Sequence, residues 1–148
     1  MKKEKTYKNE EVLTLLGRIY QSEIAGVNRY LHYSFMITGY HRIPIQNWFR
    51  EHAQEAITHA TLIGEKMTSL GGHPPILSSQ VKEGPNHSIK QLLEESLHFE
   101  EEAINLYKEL AALSEKYEDI ALEELARSLV KEEVEHADEV RKMLIKPE

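Results

Sequence analysis

The chain has 148 residues, 25 acidic against 18 basic side chains, a formal charge of −7 and no cysteine. That length can bury a real core. The lack of cysteine excludes a disulfide scaffold, thiolate-held zinc or iron–sulfur, and a built-in rubredoxin module. The negative balance argues against duplex nucleic acid as a partner and suits attraction of cations. No apolar run reaches membrane-spanning length, and the opening M-K-K-E-K-T-Y-K leads into no signal segment, so a cytoplasmic protein with no membrane partner is expected.

Residues 1–7 are polar and read as a loose tail. A first long helix is predicted over 8–38. Its seam runs Leu13, Leu16, Tyr20, Glu23, Val27, Tyr30 in steps of three and four, with Glu23 the one charged member. Gly39 offers a stop, and Pro44 suits the first turn of the next helix. That second helix is predicted over 45–70, with the seam Phe49, His52, Ala56, His59, Ile63 and Glu55 beside it. Two histidines in an apolar stripe are unusual. Gly71-Gly72 ends the helix and Pro74-Pro75 prevents its continuation.

Residues 71–87 form a connection rich in Gly, Pro and Ser. Extended, it can cover about 50 Å, more than the roughly 42 Å of a 28-residue helix, so it can cross a bundle lengthwise. The third helix, predicted over 88–114, carries Ile89, Leu93, Ser96, Glu100, Ala103, Tyr107 and Leu110 on its seam, again with one carboxylate. The fourth, predicted over 119–145, carries Leu122, Ala126, Leu129, Glu133, His136, Val140 and Met143. Glu133-x-x-His136 places a carboxylate and an imidazole one turn apart on the same face. Glu95-x-x-His98 has the same spacing but lies off the third seam, and reads as a decoy. No strand signal is present. The expected architecture is an all-α four-helix bundle with one long crossover between the second and third helices, a single domain over 1–148.

Side by side, the seams contribute Glu23, His59, Glu100 and Glu133 with His136, each near the middle of its helix. Buried carboxylates and imidazoles are costly unless paired or bound to metal. This mixed oxygen and nitrogen set suits iron or manganese, accepts zinc, and can hold two ions. Tyr20, Tyr30, Tyr33 and Tyr107 read mainly as core tyrosines, with hydrogen bonding to the site as the alternative.

Here the sequence resembles the bacterioferritin family of ferritin-like di-iron proteins, over nearly the whole chain from Leu15-Leu16-Gly17 to about Leu144. The segment S-E-I-A-G-V-N-R-Y-L-H resembles the family's first helix and implies Glu23 as a terminal ligand. H-A-T-L-I-G-E-K-M-T-S-L-G-G-H-P implies His59 as the ligand histidine, and S-L-H-F-E-E-E-A implies Glu100 as the second terminal carboxylate. E-E-V-E-H-A-D implies Glu133 as a bridge and His136 as the second imidazole. The family's one-Glu, one-Glu and paired Glu-x-x-His pattern is the same donor set. The resemblance further implies oxidation of Fe(II) by O2 or peroxide, and storage in an oligomeric cage.

Three departures bear on that reading. The family's second helix carries Glu-x-x-His, but Ala56 stands three residues before His59. Glu55 can lean in to replace the lost carboxylate, or His52 can supply a nitrogen; both remain open. Ile57 stands where haem-binding members carry Met, so no haem is expected. The sequence closes soon after His136, at Glu148, so the fifth helix of the cage is expected to be absent, which leaves a dimer or a larger homo-oligomer.

The leading expectation is a non-haem di-iron protein that acts as a ferroxidase or in iron storage and detoxification. The alternatives are a rubrerythrin-type oxidase or peroxidase with another substrate, and a bundle whose site has decayed and lost catalysis. A DNA-protecting starvation ferritin ranks lower, because there the ligands straddle a subunit interface.

Overall fold

The computed structural model describes residues 2–146, with side chains described from Asn9 onward. Four helices make up the fold: α1 (Lys2–Met36), α2 (Arg42–Ser69), α3 (Ile89–Lys116) and α4 (Ile120–Leu144). Among the described residues there is neither a strand nor a fifth helix. The helix α1 begins at Lys2, inside the stretch 1–7 that composition alone reads as a loose tail. Lys and Glu are good helix formers and no breaker intervenes, so the helical backbone extends through this polar start. Met1 of that tail lies outside the described residues, as do 147 and 148.

The helix ends follow their local chemistry. Gly39 and Gly71 adopt φ of +91° and +84°, a region where a side chain would be strained. Ser88 Oγ accepts from Gln91 N at 3.1 Å and starts α3. Asp119 does the same for α4, accepting from Leu122 N at 3.2 Å.

Helices α1 and α2 pack together as one pair and α3 and α4 as another, and α1 also packs on α3. The crossover climbs along α1. A Cβ on Gly72 would meet Leu13 Cδ2 at 2.5 Å, so the chain leaves α2 in close contact with the lower part of α1. Higher up, Gln21 Nε2 donates to Leu77 O at 3.1 Å and Ser79 N donates to Gln21 O at 3.3 Å. Glu83 then reaches His32. The linker therefore crosses the bundle lengthwise, and α3 starts beside the end at which α2 started.

The interior is divided into three. One apolar cluster gathers Leu16, Ile19, Ile63, Leu110, Leu122 and Leu129. A second gathers Tyr33, Ile37, Phe49, Leu92, Phe99 and Val140. Between them lies a buried polar layer that includes Glu23, His59, Glu100 and Glu133. The α1 seam is turned slightly from its predicted register. Val12 and Ile19 are fully buried, whereas Leu13, Tyr20 and Val27 are only partly buried.

Candidate metal centre

The polar layer is built by one seam from each helix. Glu23 from α1, His59 from α2, Glu100 from α3 and Glu133 from α4 are each no more than 4% exposed. Such burial of ionisable groups needs partners. Glu133 supplies them in two directions. Its Oε1 lies 3.1 Å from His59 Nδ1, and its Oε2 lies 3.7 Å from His136 Nδ1. Glu23 Oε1 is 3.8 Å from the same His59 Nδ1.

Two triads result. Glu23, His59 and Glu133 each place a donor atom within 4.8 Å of the others, and so do Glu100, Glu133 and His136. Glu133 belongs to both. It is the one carboxylate that the two triads share.

The tyrosines hold the carboxylates. Tyr107 OH donates to Glu23 Oε1 at 2.7 Å, and Tyr30 OH donates to Glu100 Oε1. Burial pushes both phenols well above their ordinary pKa, with the charges of Glu133 and Glu23 adding to it for Tyr30 and that of Glu23 for Tyr107, so both remain donors. Of the other two tyrosines, Tyr33 meets Arg29 and Tyr20 lines a groove beside Pro74.

The outer nitrogens of the two histidines are also held. His59 Nε2 lies 2.6 Å from Glu132 Oε2, and His136 Nε2 lies 2.8 Å from Glu55 Oε2. The arrangement is reciprocal, since α4 supports the α2 histidine and α2 supports the α4 histidine. It turns each Nδ1 towards Glu133. Glu132 escaped the reading of the sequence because its side chain is half exposed and lies off the seam. Its signal was its place directly before Glu133.

Glu55 and His52 both stand beside His136. Glu55 reaches its outer nitrogen, while the His52 ring packs 4.6 Å from the His136 ring. The three side chains form a further group able to hold an ion. His52 Nδ1 lies 2.8 Å from Trp48 O and, facing a carbonyl, carries the proton. That leaves Nε2 as a bare acceptor, buried and without a partner. Burial lowers the pKa of His52, which keeps the ring neutral. His98 of the second Glu-x-x-His lies at the surface, 2.9 Å from Glu102, so that pair takes no part.

The electrostatics show how tightly the layer is coupled. Burial works against charge on His59, but Glu133 and Glu23 outweigh it and raise its pKa to about 11. Burial likewise opposes charge on His136, and Glu133 and Glu55 raise it to about 9. Burial pushes Glu23 up, with the charge of Glu133 adding to it. The contact with His136 holds Glu55 low.

A family description, the ferritin-like domain, matches residues 13–148. The chain belongs to the ferritin-like family. A ferritin-like di-iron-carboxylate protein from Bacillus anthracis str. Ames is similar in fold, with a TM-score of 0.89 at 21% identity over 93% of this chain and 98% of that one. The bacterioferritin of Rhodobacter capsulatus, described with a metal-free dinuclear site and haem iron, gives 0.81 at 22% over 91% and 84%. A dodecameric thioferritin from Bacteroides fragilis, described as bacterioferritin-related, gives 0.85 at 22% over 97% and 93%. At these identities the likeness is one of fold. No curated protein sequence matches the chain.

The residues present fit the ions this ferritin-like fold implies. Glu100 Oε2 and His52 Nε2 are buried without hydrogen-bond partners. Orphaned buried acceptors of this kind call for a missing partner, and a cation is the partner that oxygen and imidazole donors share.

Proposed function

We propose that this ferritin-like protein binds two Fe(II) ions at the centre of its bundle and oxidises them, as a non-haem ferroxidase serving iron storage or detoxification. The observation that carries the reading is the double role of Glu133, whose two oxygens face two different imidazoles. One carboxylate shared by two triads is how a pair of ions is held at bridging distance. Glu23 and Glu100 then serve as terminal ligands, and His59 and His136 as the two nitrogen ligands.

Iron is the substrate. With peroxide the balance is two Fe(II), one H2O2 and two protons giving two Fe(III) and two waters. With O2 the balance is two Fe(II), one O2 and two protons giving two Fe(III) and one H2O2. Tyr30 and Tyr107 keep their carboxylates oriented throughout, and Glu55 and Glu132 keep each imidazole in the tautomer that leaves Nδ1 free for iron. The vacancy at Ala56 is filled by His52 Nε2 in this reading, because that atom is bare and beside His136, whereas Glu55 is already engaged. Manganese or zinc can compete for the same donors. No haem is bound, since Ile57 offers no ligand atom. The protein works as a homo-oligomer, a dimer or larger, for which Phe35, Ile57 and Leu62 leave apolar surface on α1 and α2.

One observation favours a second reading, a centre with weakened or lost oxidase chemistry. Ala56 removes one bridging carboxylate, and neutral nitrogen is a poorer partner for Fe(III). The test is anaerobic Fe(II) titration followed by exposure to O2 or peroxide. The ferroxidase reading expects about two Fe(II) per chain and rapid oxidation; tight binding without oxidation supports the second reading.

A further inference from the structure

Away from the bundle centre, a second cluster of ligating side chains lies where the crossover meets α1. His32 stands about 13 Å along α1 from Glu23, at about 1.5 Å per residue. Glu83 and His87 come from the crossover. Glu83 Oε1 lies 2.6 Å from His87 Nε2 and 3.5 Å from His32 Nε2. The two imidazole rings are 5.7 Å apart, edge to face. One donor atom from each of the three residues lies within 4.8 Å of the other two. The cluster opens on a cavity of about 200 Å³, also lined by Tyr33, Lys82 and Glu95.

We propose that His32, Glu83 and His87 hold a divalent transition-metal ion, Zn2+ by its chemistry, that clasps the crossover to α1. This goes beyond the function proposed for the bundle centre and does not depend on it. Two imidazoles and one carboxylate, with a fourth position open to water, make a tetrahedral zinc donor set. The nitrogen content disfavours Mg2+ and Ca2+. Ligands about 2.0–2.2 Å from a tetrahedral ion stand about 3.4 Å from one another. The 2.6 Å and 3.5 Å contacts bracket that value, so small side-chain rotations suffice. A local ion pair between Glu83 and His87 explains the shorter contact alone. It leaves His32 Nε2 buried, aimed at the same oxygen and without a hydrogen-bond partner. An ion satisfies all three groups at once.

The full-length protein, stripped of metal, is titrated with Co2+ and followed by the visible absorption of four-coordinate cobalt, with Zn2+ as competitor. Three proteins are compared: wild type, the double variant His32→Ala/His87→Ala, and Glu83→Gln. Glu83 is more than half exposed, so Glu83→Gln keeps the test sound should the double variant fail to fold. The expected result is one four-coordinate Co2+ per chain lost in the double variant, and binding of that ion weakened roughly tenfold or more in Glu83→Gln. Zn2+ should slow proteolysis within 71–88 in wild type and leave the double variant unprotected. Fe(II) uptake at the bundle centre, measured separately, should be alike in all three. Equal cobalt stoichiometry and affinity in all three proteins overturns the proposal. So does equal protection of the crossover by Zn2+ in the double variant.

Discussion

Glu132 meets the outer nitrogen of His59 at 2.6 Å, and Glu55 meets that of His136 at 2.8 Å in the opposite sense across α2 and α4. Each histidine is thereby turned so that its inner nitrogen faces Glu133. Glu132→Gln and Glu55→Gln should each weaken anaerobic Fe(II) or Co2+ binding about 10- to 100-fold while leaving the helical content unchanged. A titration showing wild-type affinity in both variants would mean that these contacts are ordinary surface ion pairs.

The raised histidine pKa values give metal binding a definite pH dependence. At neutral pH without metal, His59 at about 11 and His136 at about 9 both carry an extra proton. An ion at each Nδ1 must displace it, so affinity should rise from pH 6 towards pH 9. Binding at pH 7 should release about two protons per loaded chain. Calorimetry in buffers of different ionisation enthalpy reads that number, and a value near zero would contradict the assignment.

The same shifts act on the metal-free fold with a worked sign. Both folded-state values lie above the unfolded histidine value of about 6.5. Their contribution is therefore fully present below about pH 6.5 and is lost as pH rises through about 9 and beyond. The metal-free protein should melt at a lower temperature at pH 9.5 than at pH 6.5, and saturating metal should remove most of that difference. A metal-free melting temperature that rises over this interval would oppose the pairing.

Much of this arrangement was legible in the sequence. Buried seams at helical spacing exposed Glu23, His59, Glu100, Glu133 and His136, because a charged residue in an apolar stripe is visible as a defect. The crossover was legible because a linker with Gly, Pro and Ser throughout must run along something. What was not legible lies off the seams. Glu132 is half exposed and looks like any solvated glutamate. His32, Glu83 and His87 belong to no periodic pattern and meet only because the crossover climbs α1. The phenols of Tyr30 and Tyr107 fit a core equally well, and only the fold shows which carboxylate each one reaches.

Tyr107 supports a buried carboxylate, so Tyr107→Phe should destabilise the metal-free protein by about 1–3 kcal/mol in urea denaturation. It should also weaken metal binding, since Glu23 loses the donor that orients it. Unchanged stability and affinity would show that the hydrogen bond contributes little.

Ala56 leaves the question of which residue completes the centre. His52→Ala should lower metal affinity at the His136 side and slow oxidation. Ala56→Glu should strengthen binding and speed oxidation, because it returns a bridging carboxylate. Should His52→Ala behave as wild type, the centre works with Glu23, His59, Glu100, Glu133 and His136 alone.

Whether Glu133 joins a pair of ions is read from the Fe(II) stoichiometry of wild type against Glu133→Ala under anaerobic conditions. About two Fe(II) per wild-type chain are expected, with loss of tight binding at both positions in the variant, because the two triads share that side chain. Retention of wild-type stoichiometry and affinity by Glu133→Ala would contradict it.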